Sequence, residues 1–518
     1  MSLLKNFATV GGLTLSSRVL GFVRDSFLAA AIGTGAVADA FVVAFRLPNL
    51  FRRLFAEGAF SSAFVPLFAG KLEAEGEASA KRFAEESLSA LGLALLVLTV
   101  AAELGMAALV FVLAPGFADD PAKFDLTVLL SRIAFPYLLL VSLVSLYSGV
   151  LNGLGRFAAA AFSPALLNTA LIAALAAVFL LGYEGTTMAG VLLAGGITLG
   201  GVLQLGLLLF ALARAGFPIA LRRPRFTEGV KRLAVLAGPA VIAGGVVQIN
   251  SVVGTMIAST QAGAVSWLYF ADRVYQLPLG IVGIAVGVVL LPDLAKRVRA
   301  GDIASVNASQ NRSMEFAMAL TLPAAAALTL FALPITIGLF QRGAFTAEDS
   351  VATAAALAAF GAGLPAFVLT RVFQPAFFAR ENTRTPMVYS AITVAANVVI
   401  SLALFPLIGY VGVAIATSAA SWLNVALLYW GLRKGDLYAA DARLKRTMVR
   451  VLAAVAVMVA VLYGAEYLLA PWFAAGSLQR LGALAAFVGV GGLAYAVAAI
   501  AFGAVSRSDL RRVLKRGR

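Results

Sequence analysis

Long apolar stretches recur along this chain, and they limit its possible folds more than any other feature. Residues 91–113, 165–181 and 451–469 are nearly free of charge, and a run of about 20 apolar residues is long enough to cross a bilayer as a helix. Hydrophobic residues make up 61% of the chain, whereas a soluble domain averages about 45–50%. The alternating segments of about ten residues that a membrane β-barrel needs are absent from the sequence. The sequence therefore predicts an all-α polytopic membrane protein.

Length and hydropathy predict about fourteen membrane-spanning helices, arranged as two groups of six followed by two more. The longest polar linker, residues 216–228, separates the two groups. We interpret residues 1–215 as an N-terminal lobe and residues 229–435 as a C-terminal lobe. Residues 436–506 hold the last two spans, and residues 507–518 form a basic cytoplasmic tail.

The two lobes resemble each other in sequence. Pro66 corresponds to Pro292, and Asn168 corresponds to Asn397, at nearly the same offset along the chain. Because six spans per repeat is an even number, both repeats enter the membrane with the same orientation. Such repeats are related by a pseudo-two-fold axis along the membrane normal, and a transported molecule is expected to bind between them.

The distribution of charge predicts membrane topology rather than nucleic-acid binding. The net charge of +15 is scattered over short loops, so nucleic acid is not an expected partner. Most Lys and Arg fall in loops on one side, and the positive-inside rule then places both termini in the cytoplasm. The absence of Cys and His excludes disulfides and metal sites built on those ligands. Because the phosphate-binding loop of ATPases is also absent, we expect a transporter rather than an enzyme.

Several arginines lie inside predicted spans, where each costs about 2.5–3.5 kcal/mol near the bilayer centre. In the first span Arg18, Gly21 and Asp25 share one helix face, and Arg24 flanks that face. This arrangement favours a water-filled, cationic cavity. The alternative is a helix end whose arginines extend to the membrane surface and pair with Asp25.

The second predicted span is interrupted by Pro48 and Gly58, as in the broken helices that line transport cavities. Arg53 and Glu57 are one turn apart and are predicted to pair. Arg52 lies on a different face of the predicted helix and is predicted to remain available for a ligand. The alternative is an interfacial segment whose arginines contact lipid phosphates.

Asp272 and Arg273, in the eighth predicted span, repeat the pattern of the second. We expect Asp272 to neutralise Arg273 when the cavity is empty, and a purely structural ion pair is the alternative. A guanidinium stays charged, and its donors match phosphate oxygens two at a time. Arginines from both lobes would therefore suit a diphosphate, whereas a pump for cationic drugs would need unpaired acids.

Residues 18–25, 38–66 and 272–280 closely resemble the MurJ (MviN) family of bacterial lipid II flippases. This family belongs to the multidrug/oligosaccharidyl-lipid/polysaccharide (MOP) exporter superfamily, and the resemblance covers nearly the whole chain. It implies two six-helix lobes around a central cavity, alternating access, and a location in the bacterial cytoplasmic (inner) membrane. It also implies that the last two spans form an apolar groove for the polyprenyl tail.

The resemblance also implies roles for individual residues. Four arginines match those that bind the substrate in the cavity: Arg18, Arg24, Arg52 and Arg273. Asp39 matches a functional acid near the outer gate, and Ala29 and Ser266 match positions that line the cavity. We group these three with the other expected residues of the cavity and gate: Asp25, Arg53, Glu57 and Asp272.

Lipid II and membrane lipids are the expected partners of a chain that we expect to be monomeric, and the cell-wall synthesis machinery is a further candidate. Some members of the family bind sodium through acids and amides of the seventh, eleventh and twelfth spans. Here those spans offer Asn397 and Asn424 without a suitable acid. We therefore expect no cofactor, and sodium coupling is disfavoured.

Three other functions are left open by the sequence. A flippase for another polyprenyl-diphosphate-linked glycan, such as an O-antigen unit, would bind the same diphosphate. A drug/cation antiporter would not need the arginines. A scaffold for wall synthesis that transports nothing would not need them either.

Overall fold

The structure is a computed structural model that describes residues 3–52 and 60–504. Within these ranges every regular element is a helix, which confirms the predicted all-α class. Ten described helical segments are long and apolar enough to cross a membrane. The chain is therefore a multi-pass membrane protein, and the total of about fourteen spans stays a prediction.

The chain divides into two compact units. The first comprises Met1–Ser266 together with the short later segment Gly343–Phe345, and the second comprises Trp267–Arg342 and Thr346–Arg518. The polar linker at residues 216–228 thus lies within the first unit. The predicted lobe boundaries stay predictions.

Ten helices lie in the described part of the first unit. They are α1 (Leu3–Ile32), α2 (Ala36–Arg52), α3 (Ser61–Glu75), α4 (Glu77–Leu104), α5 (Met106–Leu113), α6 (Pro121–Ala134), α7 (Tyr137–Gly153), α8 (Ala158–Leu181), α9 (Thr187–Arg214) and α10 (Glu228–Ser259). A 3₁₀ turn, Pro115–Asp119, joins α5 to α6.

An aromatic cluster packs α3 against its neighbours in this unit. The ring of Phe64 lies 5.1 Å from that of Phe60, 5.8 Å from that of Phe68 and 5.6 Å from that of Phe83 on α4. Gly153 at the end of α7 permits the close approach, because a Cβ there would lie 2.7 Å from the Phe68 ring. Each aromatic pair adds about 0.5–1.5 kcal/mol beyond the burial of its area.

The second unit contains most of α11 and all of the later helices. They are α11 (Ala264–Arg299), α12 (Ile303–Leu330), α13 (Ala332–Phe340), α14 (Ala347–Phe378), α15 (Arg384–Ile408), α16 (Tyr410–Lys434), α17 (Ala442–Ala474) and α18 (Ser477–Ala501).

Polar contacts hold the start of α17 against α12 in this unit. Asp441 caps α17 by accepting from the Leu444 backbone N–H at 2.6 Å, and it also pairs with Arg312. The hydroxyl of Tyr438 donates to Asn311 Oδ1 at 2.7 Å. Burial raises the pKa of Tyr438 above its ordinary value, so the hydroxyl keeps the proton that it donates.

The segment Gly343–Phe345 joins the first unit through a close backbone contact. The Ala344 N–H donates to the Ala30 carbonyl at 2.8 Å. A Cβ on Gly33 would lie 2.3 Å from the Ala344 oxygen, and a Cβ on Gly343 would lie 2.3 Å from the Ala30 oxygen. Both glycines have left-handed backbones, with φ of 58° at Gly33 and 56° at Gly343. Only glycine fits at either position without a backbone shift.

We therefore expect Gly343→Ala to lower the melting temperature of the purified protein. The left-handed backbone alone costs an L-residue about 1–2 kcal/mol, and the clash with the Ala30 carbonyl adds to that cost. Gly195→Ala on α9 is the matched control, because a Cβ there meets nothing within 4 Å. Equal melting temperatures for the two variants would contradict this account of the contact.

Candidate functional site

A buried ion pair on α1 involves two of the predicted site residues. Arg24 is 8% exposed and Asp25 is 3% exposed. The guanidinium donates to Asp25 Oδ1 from Nε at 3.1 Å and from Nη2 at 2.7 Å. Its Nη1 donates to Asn168 Oδ1 on α8 at 2.8 Å. Arg24 is therefore held by a charge and by a hydrogen bond from a second helix.

Asn168 connects this ion pair to the preceding part of α1. Its Nδ2 donates to the Ser17 carbonyl at 2.9 Å. Gly21 lies beneath it, since a Cβ at that position would be 3.6 Å from the Asn168 amide. The amide thus orients Arg24 rather than facing open space, in agreement with a role for Asn168 as a hydrogen-bonding partner between helices.

Arg18 differs from Arg24 in its surroundings, although both lie on α1. Its side chain is exposed, and it makes no hydrogen bond or ion pair with another described residue. Arg18 and Asp25 are seven positions apart, which is about two turns or 10 Å along the helix. Arg18 is therefore the arginine of α1 that is most accessible to a ligand.

Two half-buried arginines lie on α2. Arg52, at the end of the helix, donates from Nε to Asn49 Oδ1 at 3.1 Å, and Asn49 in turn donates to the Phe45 carbonyl at 2.7 Å. Arg46 donates to the hydroxyl of Thr255 on α10. The contact between Arg46 and Thr255 was not predicted, because nothing local in either sequence segment indicates the other.

Asp39, on the first turn of α2, is fully buried. Its carboxylate accepts from Lys123 Nζ at 2.6 Å and from the Gly263 N–H at 3.0 Å. It also accepts from the backbone N–H of Ser266 at 2.9 Å and from the Ser266 hydroxyl at 2.7 Å. Four donors on one carboxylate, one of them cationic, compensate for the cost of burying its charge.

Lys123 is the residue of this cluster that the sequence analysis missed. It is 7% exposed and its ammonium lies 3.9 Å from the centre of the Phe117 ring. The sequence contained an indication, because Lys123 is an isolated cation in the segment 117–125, which also carries Asp119, Asp120 and Asp125. A lone lysine among three aspartates calls for a specific acidic partner.

The structure brings Ser266 to Asp39 and buries Ala29 completely in α1. Neither side chain borders open space in this conformation. Their predicted position on the cavity wall stays a prediction. Arg53 and Glu57, which were predicted to pair with each other, lie outside the described residues.

The predicted site residues of the second unit lie side by side on α11. Asp272 accepts a hydrogen bond from Gln276, one turn further along the helix. The Arg273 guanidinium lies 4.6 Å from the centre of the Tyr269 ring, an arrangement that stabilises the cation by its attraction to the aromatic face. Both residues are half-buried. An amide thus contacts Asp272 and an aromatic ring contacts Arg273, and the neutralisation of Arg273 by Asp272 stays a prediction.

Comparison with known proteins identifies the family. A family model described as Lipid II flippase MurJ matches residues 28–483. The chain belongs to the MurJ family. A probable lipid II flippase MurJ of Rhizobium meliloti (strain 1021) is 50% identical over 525 residues, covering 100% of this chain and 97% of the relative. The lipid II flippase MurJ of Burkholderia cenocepacia is 37% identical, covering 89% of this chain and 90% of the relative.

Solved structures show the same fold. A lipid II flippase MurJ in an inward closed conformation matches with a TM-score of 0.77 at 23% identity, covering 95% of this chain and 97% of that one. An inward-facing MATE family transporter of the MOP superfamily matches with a TM-score of 0.67 at 16% identity, covering 82% of this chain and 98% of that one. The MurJ family therefore shares its architecture with multidrug transporters, and fold alone does not identify the transported molecule.

The site chemistry of the first unit distinguishes the two kinds of transporter. Asp25 and Asp39 are the acids of α1 and α2, and each is held by a cation, Arg24 and Lys123 respectively. A cationic drug would have to displace those partners. The exposed guanidinium of Arg18 favours binding of an anion instead.

Proposed function

We propose that this protein transports lipid II from the cytoplasmic leaflet to the outer leaflet by alternating access. The main support is membership of the MurJ family, whose family model matches residues 28–483. The placement of Arg18, Arg24 and Arg52 on apolar helices supports an anionic cargo. The diphosphate is the part of a polyprenyl-diphosphate glycan that suits this chemistry best.

In this proposal four arginines bind the diphosphate: Arg18, Arg24, Arg52 and Arg273. A guanidinium offers paired N–H donors that match phosphate oxygens, and the resulting bonds are charge-assisted. Asp25 and Asn168 hold Arg24 in one orientation. A side chain that is already fixed in its binding orientation loses little conformational entropy when the ligand binds.

The proposed topology places both termini in the cytoplasm of a bacterial inner-membrane protein that acts as a monomer. The excess of Lys and Arg in alternate loops supports this orientation. Under this topology, α17 and α18 contribute the groove for the polyprenyl tail. Several of their large apolar side chains are exposed, including Tyr467, Leu468 and Leu493.

We further propose that the membrane potential drives the transport cycle and that sodium is not required. A cationic site that returns empty moves toward a negative interior, which favours the return by about 2.3 kcal/mol per charge per 100 mV. The seventh, eleventh and twelfth predicted spans offer Asn397 and Asn424 without a suitable acid for sodium.

The test is translocation of labelled lipid II in proteoliposomes that contain the purified full-length protein. We expect translocation above that of protein-free vesicles, acceleration when a potassium diffusion potential makes the cytoplasmic side negative, and no change when sodium is replaced by choline. An undecaprenyl-diphosphate-linked O-antigen unit serves as the competing cargo. Preferential transport of that glycan would contradict the proposed cargo, and indifference to the potential would contradict the proposed driving force.

A further inference from the structure

The polar linker between α9 and α10 is attached to α4 by a buried carboxylate. Glu85 is 2% exposed. It accepts from the Ala220 backbone N–H at 3.2 Å, and its second oxygen lies 2.5 Å from Arg222 Nε. The backbone N–H of Arg222 also donates to the Ser89 hydroxyl at 2.9 Å. The linker is therefore packed against α4 of the first unit by specific polar contacts.

A second contact fixes the other end of the linker. The Thr227 hydroxyl donates to Glu86 Oε2 at 2.8 Å. Between the two attachments, Pro224, Arg225 and Phe226 line an open cavity of about 450 Å³ together with α4. The α4 side of the cavity consists of small and aliphatic residues: Ala90, Leu93, Ala94 and Val97.

The cavity runs from the charged end of α4 into its apolar part. Ala90 follows Glu86 by one turn, and Val97 lies about 10 Å further along the helix. Leu93 and Val97 are exposed, and this stretch belongs to a helix that is apolar enough to cross the membrane. An apolar groove along a helix of this kind can accommodate an acyl chain.

One cation lines the same groove, and a second lies close to it in the sequence. Arg225 lines it, and Arg223 lies two positions earlier. Neither makes a hydrogen bond or ion pair with another residue in the described part of the chain. Leu221 is 77% exposed and Phe226 is 81% exposed. Arginines interleaved with exposed apolar side chains are typical of segments that lie at an anionic membrane surface.

We propose that this groove is a binding site for an anionic phospholipid of the cytoplasmic leaflet. One acyl chain lies along α4 between Ala90 and Val97, and the phosphate contacts Arg223 and Arg225. The charge of the two arginines selects an anionic headgroup, and Glu85 and Glu86 hold the linker in place to present them. The site lies outside the group of residues assigned to the cargo.

The proposal is tested by native mass spectrometry of the purified full-length protein titrated with dioleoyl phosphatidylglycerol. We expect saturable binding of one lipid that dioleoyl phosphatidylcholine does not reproduce. Replacing both Arg223 and Arg225 with Gln should weaken this binding about thirtyfold, since each cation near a lipid surface contributes about fivefold. Arg384→Gln is the matched control, because Arg384 is equally exposed at the start of α15 and lies outside the groove.

A second variant tests the groove itself. Ala94→Phe fills the apolar part of the groove without changing its charge, and it should weaken binding of dioleoyl phosphatidylglycerol. Glycerol 3-phosphate, which has no acyl chain, should not compete with this lipid for the wild type or for the variant. Unchanged affinity in Ala94→Phe, equal loss in Arg384→Gln, or equal binding of phosphatidylcholine would each overturn the proposal. Displacement of phosphatidylglycerol from this site by equimolar lipid II would assign the groove to the cargo and also overturn it.

Discussion

Arg24→Ala is expected to abolish rescue of a bacterial host that has been depleted of its own lipid II flippase. The change removes a guanidinium that donates to both Asp25 and Asn168. It also leaves the Asp25 carboxylate, which is 3% exposed, without its recorded cation. Loss of one partner from a buried ion pair costs about 3–5 kcal/mol, so this single variant combines a loss of stability with a loss of function.

The double variant Arg24→Ala with Asp25→Ala separates these two effects. Removing both charges eliminates the buried carboxylate that has lost Arg24, so the melting temperature should recover toward that of the wild type. If Arg24 binds the diphosphate, the double variant stays inactive in the proteoliposome assay although it is folded. Recovery of transport together with stability would show that the pair is purely structural, which is the alternative that the sequence left open.

Arg24→Lys completes the series. A lysine keeps the charge that faces Asp25, but it lacks the planar guanidinium whose additional N–H groups also reach Asn168. We expect transport to fall by roughly 10–100-fold, the equivalent of one charge-assisted hydrogen bond. Transport at the wild-type rate in Arg24→Lys would show that a positive charge alone is sufficient at this position.

Asp39→Ala is expected to destabilise the protein by about 3–5 kcal/mol, because it leaves the buried Lys123 ammonium without its carboxylate. The backbone N–H groups of Gly263 and Ser266 lose their acceptor as well. The measurement is the melting temperature of the purified protein in detergent. Flippase complementation should fail in parallel, since the same carboxylate joins α2 to the start of α11.

The control for Asp39 is a second change at its partner. Asp39→Ala combined with Lys123→Met removes both charges, and we expect it to be more stable than Asp39→Ala alone. Glu73→Ala, at an exposed acid of α3, should change stability by no more than about 0.5 kcal/mol. If the double variant were less stable than Asp39→Ala, the ion pair would not be the main role of Asp39.

The sequence predicted those properties that depend on residues close together along the chain. The all-α class followed from long apolar runs, and the MurJ family followed from contiguous motifs around Asp39 and Arg273. The proximity of Arg24 and Asp25 could also be read directly, since they are adjacent. By contrast, the alternatives of a cavity ligand and a structural pair could not be separated, because the outcome depends on Asn168 of another helix.

Asp39 shows the limit of prediction most clearly. Its importance was implied by resemblance, yet the sequence analysis did not identify its counter-ion, Lys123. The two residues are 84 positions apart, and no periodicity in either segment relates them. The approach of α6 to α2 creates the pair. The same reasoning applies to Arg46 and Thr255, and to Glu85 and the linker that it holds.

The sequence by itself determined which segments can enter a membrane and which of them carry charge, because hydrophobic length and residue type are local properties. It also determined the family, since the matching motifs are contiguous. Only the tertiary structure decided which charges neutralise one another and which face outward. Arg24 and Arg18 lie on the same helix, but packing against α8 buries the first and leaves the second exposed. A buried charge requires a partner within hydrogen-bond reach, and helix packing determines which distant residue provides it.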